Sequence, residues 1–265
     1  MTKPKQIHWQ YPAVNDGSDQ EAWNNGTIVS AAVSKLMEVG QAIVTPTKVG
    51  YILMTNGPEG LEKKFDLKER PKRKPGVVLA IDNKHVESLA QMSPKICELY
   101  AKAYERDILL GCILPWQEAS LQNLVPEGAR TMMSDARNTS CFVVRYGLPS
   151  EAIAHSMWKK HGKLSFASSA NPSGKGNRGK LEGVGERILD GADLIIEGDD
   201  FVAAQQADTD EGTRMEQGVM VSFVDRNGQF SDVPVIIRNG LHLKEIEQLL
   251  DEVFNFHVNY HGAYY

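Results

Sequence analysis

Apolar positions recur along this chain in two rhythms, that of helices and that of strands. In NNGTIVSAAVSKLMEVG, residues 24–40, Ile28, Ala32, Val33, Leu36 and Met37 fall on one helix face, and Gly40 ends it. Leu61 and Phe65 in PEGLEKKFDL predict a short helix. Residues 84–106 read as two helices, the second opened by Ser93-Pro94. PSEAIAHSMWKKHG, GVGERILDG and LKEIEQLLDEVF predict three more. Between them short apolar runs read as strands: QAIVT, GVVLAI, ILLGCIL, CFVVR, KLSFASS, DLIIEGD, VMVSFVD and VPVIIRN. TPTKVGY, directly after the first strand, reads as a turn, and residues 198–218 as a long polar loop.

Strands and helices are mixed at irregular spacing, without an internal repeat or a low-complexity linker. That predicts an α/β class with a mixed, twisted sheet. Residues 1–18 are polar, with Pro and Gly, and read as an N-terminal arm; 19–254 read as a single domain, and 255–265 as a tail.

Composition narrows the classes. The chain has 265 residues and a net charge of -5, from 29 basic and 34 acidic residues. A mildly acidic total argues against a bulk nucleic-acid binder, although it permits local basic patches. The three cysteines, Cys97, Cys112 and Cys141, are far apart and form no CxxC pair, which predicts reduced core thiols in a cytoplasmic protein. No apolar run approaches the ~20 residues of a membrane helix, and the N-terminus has no apolar signal core.

Three stretches can carry chemistry. KERPKRKPG, residues 68–76, is a dense basic run in which Pro71 and Pro75 fix the backbone and so the directions of Lys68, Arg70 and Lys74. Cations held that way suit a polyphosphate or a carboxylate; a solvated helix end is the plainer alternative. SSANPSGKGNRG, residues 168–179, leaves a strand with hydroxyls, an amide and glycines that allow close backbone approach to a ligand. Its alternative is a Gly/Ser surface loop. In TPTKVGY, Thr47 meets a ligand or caps the turn. The spacings GxxxxGK[ST] and GxSxG are absent, and His257 and His261 lack a third metal ligand.

Taken in order, PTKVGY, KERPKRKP and SSANPSG resemble the motifs of the YrdC family: PT-[DE]-x-x-[YF]-G, K-x-R-P-x-x-[KN]-P and [ST]-S-A-N-x-S-G. CFVVR, VMVSFVD and VIIRNG are similar to further strands of that family, so the likeness spans residues 25–240. It implies a YrdC-like fold, a mixed, mostly antiparallel sheet with helices around a concave basic cavity. It also implies a nucleotidyltransferase that makes threonylcarbamoyl-AMP from L-threonine, bicarbonate and ATP with Mg²⁺. The product serves threonylcarbamoyladenosine modification of tRNA, so tRNA or tRNA-modification proteins are implied partners, and double-stranded RNA binding an implied property. By the resemblance Lys68 and Arg70 are the catalytic cations. Lys68, Arg70, Lys74, Asn171 and Arg238 bind ATP, and Thr47, Arg145, Ser169 and Ser222 hold the amino-acid substrate.

The chain departs from the pattern at several positions. Lys48 replaces the acidic residue after Pro-Thr, Val49 and Ile52 replace Thr and Gly, ILLG stands where the family has GPVT, and Cys141 stands at a Ser/Thr position. The nucleotide half of the pattern is better kept than the amino-acid half. Two other readings therefore stand beside the first: a diverged enzyme acting on another amine or carbamoyl substrate, and a non-catalytic nucleotide- or RNA-binding module.

Overall fold

The computed structural model of the chain describes residues 4–9, 26–69, 75–172, 175–225 and 227–255. The strands are β1 (Lys5–His8), β2 (Ala42–Thr47), β3 (Gly50–Thr55), β4 (Val77–Leu79), β5 (Leu110–Pro115), β6 (Thr139–Val144), β7 (Ser165–Ser169), β8 (Leu194–Glu197), β9 (Val219–Val224) and β10 (Phe230–Arg238). The helices are α1 (Thr27–Met37), α2 (Gly57–Lys68), α3 (Asn83–Leu89), α4 (Pro94–Glu105), α5 (Glu118–Leu124), α6 (Glu127–Met133), α7 (Ser150–His161), α8 (Glu186–Gly191), α9 (Asp199–Gln205) and α10 (Leu243–Phe254), with a 3₁₀ turn at Leu181–Val184. They belong to two compact units, residues 1–71 with 147–216 and residues 72–146 with 217–265.

In the first unit the strand order is β1-β8-β2-β3-β7. β8 runs parallel to β1 and β2, while β3 is antiparallel to β2 and β7. β2 is buried at every position and β3 at all but one, so neither strand alternates between a buried and an exposed face. Ala42, Val44, Tyr51 and Leu53 meet Val184, Ile188, Ala192 and Ile195 in one apolar cluster, closed by Leu67, Leu181 and Leu189. Gly60 lets α2 lie close on β3, since a Cβ there would come within 1.9 Å of Thr55 Oγ1.

The second unit has the order β4-β6-β5-β9-β10, with β4–β6 and β5–β9 parallel, β5–β6 and β9–β10 antiparallel. Parallel ladders are thus as much a part of the mixed sheet as antiparallel ones. α4 buries Ile96, Leu99, Tyr100 and Ala103, and α10 buries Ile246, Leu249, Leu250 and Val253, the i, i+3, i+4, i+7 stripe of a core-facing helix. Tyr100 pins α4 to β6 by donating to Phe142 O at 2.8 Å. Ser93 caps α4, accepting from Ile96 N as Ser93-Pro94 predicts. Pro234 lies in β10, an edge strand, where a missing donor is tolerated.

Four local expectations change. Within the stretch read as an arm, Lys5–His8 form β1. GYILMT is the strand β3, which no strand reading included, so the turn read at TPTKVGY is the turn of a β2–β3 hairpin. The segment read as loop at 198–218 opens with α9, anchored by buried Phe201 and Val202. The α1 core face is centred on Val29, Ala32, Val33 and Leu36, with Met37 exposed.

Candidate functional site

Lys68, which opens the basic run, meets the Ser-Asn loop at the end of α2. Lys68 is the last residue of that helix, and Glu69 after it takes a left-handed φ of 49° that turns the chain away. The Lys68 side chain is buried, and its ammonium donates to Ser169 O and to Ser169 Oγ, the latter at 3.3 Å. Ser169 is the last residue of β7, in register with Ile52 of β3. Asn171 follows within the same bend: its Nδ2 donates to Pro172 O at 2.9 Å, while its Oδ1 is buried without a hydrogen-bond partner among the described residues. Ser168 Oγ is in the same position. Buried polar atoms without a partner are costly.

The bend is clamped from below by Asn177, a residue no sequence pattern singled out. Its Nδ2 donates to Tyr51 O at 3.0 Å and Ala170 O at 3.2 Å, and its Oδ1 accepts from Gly179 N at 3.1 Å. Gly50 makes room for it: φ is +110° there, and a Cβ would lie 2.3 Å from Asn177 Oδ1. Tyr51 adds a second tie, donating to Asp199 Oδ1 at 2.5 Å and accepting from Gly198 N at 2.9 Å. Burial and then the Asp199 bond push its pKa up, so the phenol stays neutral.

Thr47 turns out to close the hairpin, its Oγ1 donating to Gly50 O at 2.7 Å. Lys48, the charge-reversed position, is buried beside it, and its carbonyl accepts from Gln206 Nε2 at 3.1 Å. Arg70 and Lys74 lie outside the described residues.

The remaining sequence-predicted residues belong to the second unit. Arg145 takes a left-handed φ of 57°, donates from Nε to Tyr104 O at 2.8 Å, and stacks its guanidinium 4.0 Å over the Tyr104 ring. Asp107 lies 3.5 Å from that Nε. Ser222 is buried in β9, its hydroxyl bonded within its own strand to Val224 O at 3.3 Å. Arg238 ends β10 and donates from Nε to Gly218 O at 3.0 Å; desolvation lowers its pKa from the ordinary arginine value. Two of the departures from the family pattern are neighbours here, since a Cβ on Gly111 would lie 3.0 Å from Cys141 Sγ. Burial pushes the Cys141 thiol up to about 12, against a smaller opposing effect of Arg238.

The Sua5/YciO/YrdC family model, described as "Telomere recombination", matches residues 35–209, and the chain belongs to that family. A hypothetical protein, smu.1377c from Streptococcus mutans UA159, is 42% identical over the whole of both chains, with a TM-score of 0.87. P. abyssi Sua5 complexed with L-threonine superposes with a TM-score of 0.62 at 20% identity, over 97% of this chain and 63% of that one. E. coli YciO does so with a TM-score of 0.58 at 17% identity, over 91% of this chain and 97% of its own. At those identities the last two show the shared fold. No curated protein matches the chain. Among the described residues no helix is long and apolar enough to cross a membrane.

Proposed function

We propose that this chain is an ATP-dependent adenylating enzyme of the threonylcarbamoyl-AMP synthase type, joining L-threonine, bicarbonate and ATP with release of pyrophosphate and so serving tRNA threonylcarbamoyladenosine modification. The observation that carries the reading is the Lys68–Ser169–Asn171 group: a buried ammonium at a strand end, beside a buried amide oxygen without a hydrogen-bond partner among the described residues.

In this reading the threonine amine bonds to the bicarbonate carbon and water leaves, which gives the carbamate; a carbamate oxygen then attacks the α-phosphorus, its bond to phosphorus forms, and the bond to the pyrophosphate oxygen breaks. Negative charge gathers on the phosphoryl oxygens and the leaving group. Fixed cations suffice to stabilise it, and no covalent nucleophile is needed. Lys68 neutralises phosphate charge from a position already desolvated, where its effect is larger than in water. Arg70, Lys74 and Arg238 add to ATP binding, Asn171 orients the nucleotide, and Thr47, Arg145, Ser169 and Ser222 hold the amino acid. Mg²⁺ would arrive with the nucleotide and would supply charge neutralisation. Among the described residues no group of three or more His, Cys, Asp and Glu could hold a metal ion, so in this reading the chain contributes orientation and charge.

The contact of Gly111 with Cys141 favours a second reading, the same adenylation with another amine or carbamoyl substrate, because a thiol and a bare backbone replace two hydroxyl-bearing positions of the family pattern. Pyrophosphate release with ATP, Mg²⁺ and bicarbonate, with and without L-threonine, separates the two. Threonine-dependent release is expected, falling by about 10²-fold or more in Lys68→Ala and Arg70→Ala. Release that ignores threonine but needs another amine selects the second reading. ATP binding without release under any amine leaves a nucleotide-binding module.

A further inference from the structure

Helix α4 does not end on a glycine. Its last turn is closed by Asp107, which takes a left-handed φ of 54°. Asp107 N donates to Tyr104 O at 3.4 Å and Ile108 N to Ala103 O at 2.9 Å, the paired bonds of a Schellman ending, where glycine is the usual left-handed residue. Arg145, which follows β6, repeats the exception: its φ is 57°, again left-handed and again not glycine. The two exceptions meet. Arg145 Nε donates at 2.8 Å to Tyr104 O, a carbonyl whose two lone pairs serve it and the Asp107 amide together. The guanidinium lies 4.0 Å over the Tyr104 ring, and Asp107 Oδ1 is 3.5 Å from Nε.

A turn after β6 is made at least strain by glycine, and the carbonyls of a helix end are satisfied as well by water. The chain instead keeps an arginine at a strained φ and fixes it from several sides. Strain of this kind clusters at ligand clamps. A carbonyl on one edge, a ring under one face and a carboxylate at Nε set both the plane and the direction of the guanidinium. An arginine already ordered in this way has little rotamer freedom left to lose when a ligand arrives. Its side chain keeps 21% of its surface exposed, so a small ligand reaches it.

We propose that Tyr104 is a positioning residue, which pre-orders Arg145 so that Nη1 and Nη2 take the substrate carboxylate end-on. The inference rests on the reading that Arg145 holds the amino acid, and adds the residue that acts through it. The test is pyrophosphate release by the full chain at saturating ATP, Mg²⁺ and bicarbonate with L-threonine varied. The proteins compared are the unmodified chain, Tyr104→Phe, Tyr104→Leu, Arg145→Ala, and Tyr104→Leu with Arg145→Ala. Tyr104→Leu keeps the backbone carbonyl and loses the ring. Its KM for L-threonine is expected to rise about tenfold, with kcat and the KM for ATP held within about twofold, the mark of lost substrate binding. Tyr104→Phe keeps the ring and is expected to hold the threonine KM within about twofold. Arg145→Ala raises that KM at least as far as Tyr104→Leu, and combining the two raises it no further, because the ring acts only through the guanidinium. An unchanged threonine KM in Tyr104→Leu, or losses that add in the double variant, overturns the inference and leaves the adenylation reading standing. Failure of that reading looks different: no amino acid drives release in the unmodified chain. The Arg145 Nε–H resonance, assigned by its loss in Arg145→Ala, decides the positioning without turnover. It stands apart from that of a solvent-exposed arginine in the unmodified chain and in Tyr104→Phe, and moves to the exposed position in Tyr104→Leu. A resonance at the same place in all three overturns the inference.

Discussion

Cys97, Cys112 and Cys141 show how far burial alone sets the chemistry of a side chain. Cys112 and Cys141 are buried and Cys97 is partly exposed. Desolvation raises all three thiols, Cys141 to about 12 and Cys112 further. A thiol-specific disulfide reagent at pH 8 is therefore expected to label Cys97 first, and the other two only as the chain unfolds. Stability follows the same groups. Unfolded thiols ionise near their ordinary value of 9.0, so above it the unfolded chain loses protons that the folded chain keeps, and folding stability falls as pH rises towards about 12. Each buried thiol contributes about 1.4 kcal/mol to that fall by pH 10. Urea midpoints at pH 8 and pH 10 measure it, and Cys141→Ala is expected to reduce the difference by about 1.4 kcal/mol, the share of Cys112 remaining. An unchanged difference in that variant would show that Cys141 does not keep its proton through folding.

At the scale of elements, the hairpin β2–β3 joins the two loops that matter. Its turn, Lys48-Val49, is closed by Thr47 Oγ1, and Gly50 gives up its side chain so that Asn177 can bond Tyr51 and Ala170. Gly50→Ala is expected to cost about 2–4 kcal/mol, from a left-handed φ imposed on alanine together with a displaced buried amide. Guanidinium denaturation reads the loss, and weakened ATP binding in the protein that remains folded reads the shift of the Ser-Asn bend. Stability within 0.5 kcal/mol of the unmodified chain would remove Asn177 as the clamp. This hairpin also shows what the sequence hides. β2 was legible as an apolar run, but Lys48-Val49 lacks the Asn-Gly or Asp-Gly chemistry that marks a two-residue turn, so β3 was not separated from what precedes it. α9 was hidden because two apolar residues, Phe201 and Val202, anchor it in an otherwise polar stretch. α1, α4 and α10 were plain because their stripes are long. At the site, Lys68, Ser169 and Asn171 stand in motifs and were found. Asn177 was not, since an amide clamp depends on contacts formed only when loops distant in sequence are folded together.

Over the whole molecule, charge decides between the enzyme reading and the nucleic-acid-binding one. The chain carries 29 basic and 34 acidic residues, so its long-range field repels a polyanion. The basic run that would have to overcome that field is partly withdrawn from solvent: Lys68, its first residue, is 3% exposed, and Lys64 just upstream of it 0%. Lys180 is engaged by Glu211, and the Arg178 amide by Glu216. A protein that grips RNA through its backbone neutralises about 6–10 phosphates and loses about 10³–10⁵ in affinity between 50 and 200 mM salt. The expected outcome here is a weak, shallow dependence: filter retention of tRNA that is small at 50 mM salt and changes less than about tenfold by 200 mM. ATP-dependent pyrophosphate release measured over the same range should change little, since cations fixed in a desolvated site are screened less than those on a surface. Tight retention of tRNA with the steep salt dependence of a backbone binder would reverse the argument. Cations outside the described residues, Arg70 and Lys74 among them, would then be a phosphate-gripping surface, and the adenylation reading would yield to a nucleic-acid-binding module.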